Sequence, residues 1–234
     1  MRRVVCLALL AMVVLWSVTI PASGWSNGRG GPNSHGTHDW VLSKALSAPG
    51  AKAGWVKKRV ALRATDDPDM VDGIDHASGT WWHVWDEWGS TYGGAPEAAE
   101  VWFNRARTQY RNGNYRRASR SVGILAHIVG DVAQPMHTDG YLDREDSVHS
   151  SYEVAVDSRS EAGDTVYSFN YDGPTGSNPY GRTRRLARGA HPFYSELVNK
   201  YSANGYSSRV HRITQRQLNK AANAMADLLR QIRR

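Results

Sequence analysis

Two short stretches of the chain carry the residue types from which metal centres are built. In "AHIVGDVAQPMHTDG", His127 precedes Asp131 by four residues and His137 follows a proline. In "HSSYE", His149 precedes Glu153 by the same interval. On a helix, residues four apart project from one face, one turn apart. Each pair can therefore present an imidazole and a carboxylate to a single cation. One such pair alone is more simply an ordinary hydrogen bond. Two pairs bracketing a third histidine supply five nitrogen and oxygen donors within 27 residues, and a divalent metal becomes the better explanation. The apolar run "GILAHIVGD" strengthens it, because a buried neutral polar group without a partner costs roughly 2–7 kcal/mol and a charge more. Donors of nitrogen and carboxylate type without thiolates suit zinc, other divalent metals remaining open. Such a cation acts as a Lewis acid and lowers the pKa of bound water to ~7, chemistry suited to hydrolysis. No serine stands in a nucleophile elbow, so a protein nucleophile is disfavoured.

The elements that must position these residues read as helices. "THDWVLSKAL" opens at Thr37 as its N-cap, and "GWVKKRVALRA" continues in the same period. "PEAAEVWFNRARTQYRNG" runs from a Pro start to a Gly stop, the asymmetry expected of helix ends. "NYRRASRSVGILAHIVGDVAQP" starts at an Asn114 cap and stops before Pro135. The final helix, from Ile213, puts Leu218, Ala222, Met225, Leu229 and Ile232 on one apolar face with a solvated basic face opposite. No run alternates like a strand. "DTVYSFNYDGPTGSNPYGR" reads as a loop with at most a short extended piece. The expected fold is all-α, a single-domain multi-helix bundle, a setting in which inward-facing ligands from different helices build metal sites.

The amino terminus has a positive start at Arg2 and Arg3, an apolar run from Val4 to Ile20, and small residues at Ala22-Ser23-Gly24. This predicts a signal peptide over 1–24, favoured over an uncleaved membrane anchor, and a secreted, extracellular product spanning 25–234. Cleavage removes Cys6, the only cysteine, so stability must come from the core, from bound metal, or from both. Losing Arg2 and Arg3 lowers the formal charge from +7 to +5. The remaining excess favours anionic partners (phosphates, lipid surfaces, nucleic acid) without choosing among them.

The spacing His-x3-Asp-x5-His followed by His-x3-Glu resembles the bacterial zinc-dependent phospholipases C, from the mature terminus to about Asp157. The resemblance implies three zinc ions in a trinuclear cleft. Asp69 of "DDPDMVDG", His83 of "WWHVWDEW", His127 and Asp131 would hold one. His137, His149 and Glu153 would hold a second, with open positions. Trp25, through its free amino group and carbonyl, would hold the third with His38 and Asp131, so that Asp131 bridges two cations. His35 competes with His38, and His76 and Asp72 are alternatives in the His83 region. Asp69 is also a candidate general base.

The implied function is a phospholipase C releasing diacylglycerol and a phosphorylated head group, as a monomer touching membranes transiently, the chain ending after its last helix. The alternative is a single-strand nuclease of related fold, with nucleic acid as partner. Against it stand the thirteen residues from Trp25 to His38, the twelve from His137 to His149, and the closing Glu153. A zinc-stabilised binding protein is the non-catalytic alternative; the three-ligand group at His137 argues against closed, structural coordination. At the offsets where relatives of this kind hold choline, the chain has Gly28, Met70 and Thr80, which are poor partners for a quaternary ammonium. Trp81, Trp82, Trp85 or Trp88 could replace them.

Overall fold

The computed structural model describes residues 36–70, 93–138, 146–161, 166–176 and 178–234. Regular structure among them is entirely helical: α1 (Thr37–Ser47), α2 (Lys58–Arg63), α3 (Asp67–Met70), α4 (Ala95–Arg111), α5 (Tyr115–Asp131), α6 (Asp146–Glu161), α7 (Pro179–Ala190), α8 (Tyr194–Asn204) and α9 (Ser208–Ile232). Short 3-10 turns occupy Pro135–Thr138 and His191–Phe193. The all-α expectation holds. No helix among the described residues is long and apolar enough to cross a membrane. The leader expected over 1–24 lies outside them.

The site helix α5 lies at the centre of the packing, against α1, α2, α4 and α9. Its first two turns are mostly exposed, but every residue from Ser121 to Asp131 is buried, as a helix apolar on all sides requires. Gly123 permits the closest approach: a Cβ there would lie 2.1 Å from the Ala61 carbonyl oxygen of α2. Leu42, Phe103, Ile124, Leu125 and Leu228 form the core around α5. A second cluster, with Trp40, Met136, Tyr152, Tyr167 and Leu197, lies under α6 and the Pro135 turn. Ligands on α5 are thus backed by the first cluster and those on α6 by the second.

Several expectations need correction. Thr37 is the first helical residue, not the N-cap; Gly36 stands there without a side-chain bond. The Thr37 N–H donates instead to Asp157 Oδ1 at 3.1 Å, and its hydroxyl meets Ser160 Oγ at 3.3 Å. The cap is supplied across space, by α6. Asn114 does occupy the N-cap position of α5, but its side chain makes no cap bond. The final helix starts at Ser208, with the Ser207 hydroxyl accepting from the Val210 N–H, and its five expected core residues are all buried. The supposed loop 164–182 ends inside α7, which Pro179 opens and the Asn178 side chain caps.

The extended piece 166–176 finds its hydrogen bonds on a helix. The N–H groups of Ser168, Asn170, Asp172 and Thr175 donate to Gln215 Oε1, Asn219 Oδ1, Asn223 Oδ1 and Asp227 Oδ1, at 2.8, 2.7, 3.1 and 2.9 Å. From Ser168 to Asp172 the spacing works because four helical residues rise ~6 Å and two extended residues span roughly 6.6 Å; the last step, to Thr175, takes three residues through Gly173.

Candidate metal centre

His38 sits in the first turn of α1, which the α6 contacts of Thr37 fix in place. Its Nε2 lies 3.3 Å from Asp131 Oδ1, while His127 Nε2 lies 3.0 Å from Asp131 Oδ2. Asp131 therefore offers one oxygen to each ring. The two imidazoles stack, centroids 4.1 Å apart and planes 20° from parallel. Gly130 makes room for this, since a Cβ there would stand 2.5 Å from His38 Nδ1. Asp69, on α3, brings Oδ1 to 3.4 Å from His127 Nε2. His38, His127 and Asp131 are wholly buried.

The tautomer of His127 follows from its other nitrogen. Nδ1 lies 2.7 Å from the Thr65 carbonyl oxygen, which can only accept, so Nδ1 carries a proton. Nε2 then faces the Asp69 and Asp131 carboxylates either as a second N–H or as a lone pair. A lone pair aimed at two carboxylates requires a cation between them. The Thr65 hydroxyl in turn donates to Asp39 Oδ1 at 3.0 Å, the kind of supporting shell that orients metal-ligating histidines. Burial, and then the neighbouring His127, push the His38 imidazole down to about 4; it is neutral, as a ligand must be. Burial would raise Asp131, but the His127 and His38 rings overcome it and hold the carboxyl well below the usual range.

The second group comes from the 3-10 turn and α6. His137 Nε2 and His149 Nε2 approach to 3.0 Å, and Glu153 Oε1 lies 3.6 and 2.6 Å from them. All three side chains are buried. Burial pushes the Glu153 carboxyl up to about 8, a cost that a bound cation reverses. Gln134 Nε2 donates to the same Oε1 at 2.9 Å.

The donor types of both groups suit zinc, with Asp131 offering one oxygen beside His38 and the other beside His127. Metal–ligand bonds of ~2.0–2.2 Å in a tetrahedron place neighbouring donors roughly 3.3–3.6 Å apart. The closest contacts are 3.0 to 3.4 Å around Asp131 and Asp69 and 2.6 to 3.6 Å in the second group, and the ligand atoms of each triad all lie within 4.8 Å of one another. Donor identity, burial and convergence agree in each, and the two triads are the groups of potential metal ligands found among the described residues.

The structure thus brings together His38, Asp69, His127 and Asp131, and separately His137, His149 and Glu153. Trp25 and His83 lie outside the described residues, as do His35, Asp72 and His76. Sequence reasoning missed Gln134 and Thr65. Gln134 stood in plain view inside the first ligand motif, between Asp131 and His137; Thr65 acts through a carbonyl, which no residue type signals.

No family model matches the chain. Two curated relatives, both phospholipase C of Bacillus cereus, are each 28% identical over 180 residues, covering 70% of this chain and 64% of their own length. The chain therefore spans less than two thirds of the relatives it matches. Among solved structures, alpha-toxin of Clostridium perfringens (avian strain SWCP) superposes with a TM-score of 0.64 at 14% identity. Alpha toxin of Clostridium absonum gives 0.64 at 16%. Each covers 88% of this chain and 65% of the other. With sequence similarity to phospholipase C and a fold shared with the alpha-toxins, the chain resembles the bacterial zinc-dependent phospholipase C family.

Proposed function

We propose that this protein is a secreted zinc-dependent phospholipase C, which hydrolyses the phosphodiester of a phospholipid to diacylglycerol and a phosphorylated head group. One observation carries the reading: Asp131, wholly buried, divides its two oxygens between two imidazoles beside a second group of three donors. Trp25 and His83 complete the ligand set in this proposal, for three zinc ions.

Zinc, when bound, supplies Lewis-acid polarisation of the phosphoryl oxygens and a water of lowered pKa. The chain's own residues do the rest. Thr65 holds His127 in the ligating tautomer, and Gln134 holds the Glu153 carboxylate in place. Asp69 is the carboxylate best placed to meet water, its side chain 16% exposed against 0% for Asp131. It accepts the proton of the attacking water as that oxygen bonds to phosphorus and the glycerol oxygen departs. Asp69→Asn is expected to lower turnover by about 10²–10⁴-fold; retention of both turnover and metal content removes Asp69 from this role.

The reading is tested on the zinc-loaded chain beginning at Trp25, assayed on soluble short-chain phosphatidylcholine and on single-stranded DNA, with and without chelator. Chelator-sensitive release of a phosphorylated head group is the expected result. Cleavage of DNA alone transfers the site to the nuclease reading.

A further inference from the structure

Between α2 and the amino-terminal turns of α5 lies a cleft of about 480 Å³ that shares no side chain with the two ligand groups. Its rim is arginine: Arg59 and Arg63 from α2, Arg116 and Arg120 from α5. Each pair is spaced four residues apart on an exposed helical face, where like charges repel. The close crossing at Gly123 and Ala61 then holds the two helices, and with them the two pairs, side by side. Asp67 is the one carboxylate in the lining; it accepts from Arg120 Nε at 2.6 Å. Arg59, Arg63 and Arg116 make no ion pair among the described residues, so the cleft holds three uncompensated positive charges.

From this arrangement we propose that the α2–α5 cleft is a second anion site, which takes a phosphate group independently of the metal centre. The chemistry is specific. A guanidinium presents paired N–H donors that match two phosphate oxygens at once, and Arg59, Arg63 and Arg116 offer three of them from two helices. Repulsion within each pair is relieved when the anion enters. The phosphate is that of an anionic lipid head group or a free phosphate ion; both offer the same oxygens.

The experiment titrates the purified protein with inorganic phosphate, following arginine Nε–H signals by NMR. In parallel the protein is co-sedimented in the cold with vesicles of phosphatidylcholine, with and without phosphatidylglycerol. The variants are Arg63→Gln/Arg116→Gln in the cleft and, as a charge-matched control, the exposed pair Lys200→Gln/Arg212→Gln, with folding checked by thermal unfolding. Phosphate is expected to shift arginine signals of the unmodified protein. The cleft variant is expected to weaken binding by about tenfold or more, and the control to leave it unchanged. Loss of phosphate binding alone identifies the free ion as ligand, whereas loss of phosphatidylglycerol-dependent sedimentation identifies the head group; either supports the site. Equal weakening by the control means diffuse electrostatics and overturns it. So does the absence of any arginine shift in the unmodified protein, or binding of single-stranded DNA with neither phosphate nor vesicles bound.

Discussion

Asp131 has two oxygens and two imidazoles to serve, and the geometry gives one to each: Oδ1 to His38 at 3.3 Å, Oδ2 to His127 at 3.0 Å. A carboxylate divided in this way can bridge two cations, and the bridge predicts an unequal response to mutation. Asp131→Asn keeps the volume but removes the anion from both positions. It is expected to reduce bound zinc by more than one ion per chain. His38→Ala removes a donor from one position only and should cost no more than one ion. Elemental analysis after gel filtration checks both, and equal losses would show that Asp131 serves a single cation. This pair was legible in the sequence because a spacing of four on an apolar helix constrains both side chains to one face. His38 was legible only through resemblance, since nothing local to "THDWVL" ties it to a helix nearly ninety residues later. What ties it is Gly130, whose missing Cβ leaves the space that the His38 ring fills.

Among the elements, helices that bury a stripe in the core announce themselves, as α4, α5 and α9 do. Elements defined by partners distant in sequence do not. The start of α1 is capped by Asp157 from α6, so its own Thr37 was misread as the cap. The segment 166–176 reads as loop because its hydrogen-bonding partner is a row of three side-chain amides and one carboxylate along α9, invisible to any search for a second strand. Asn223 is the buried amide of that row. It accepts from the Asp172 N–H at 3.1 Å and donates to the Asn170 carbonyl at 2.9 Å, from a side chain 1% exposed. Asn223→Ala leaves both backbone groups without that partner and is expected to destabilise the protein by about 1–3 kcal/mol. Hydrogen exchange should accelerate at Asp172 while the α5 amides keep their protection; unchanged exchange there would show that the row is incidental to the fold. Asn219→Ala, which removes a single accepted bond, should cost less.

Across the whole molecule, the candidate ligands come from α1, α3, α5, the Pro135 turn and α6, so cations bound to them would join five segments. With Cys6 as the only cysteine, no disulfide within the chain can take over that task. In the metal-free chain the nearly buried Glu153 carboxyl is pushed up by burial, a cost that a bound cation offsets. Metal binding should therefore be coupled to stability. Each site that binds zinc only when folded adds ~2.7 kcal/mol when free zinc is a hundredfold above its dissociation constant. For a domain of this size that corresponds to roughly 5–10 °C in Tm per site. Thermal unfolding in excess zinc should accordingly exceed that in chelator by at least that margin, and the difference should shrink in Glu153→Gln. That variant can keep the Gln134 hydrogen bond but lacks the anionic donor of the second group. Equal transitions with and without chelator would mean that the two groups contribute nothing to holding the five segments together, and the metal reading would fail with them.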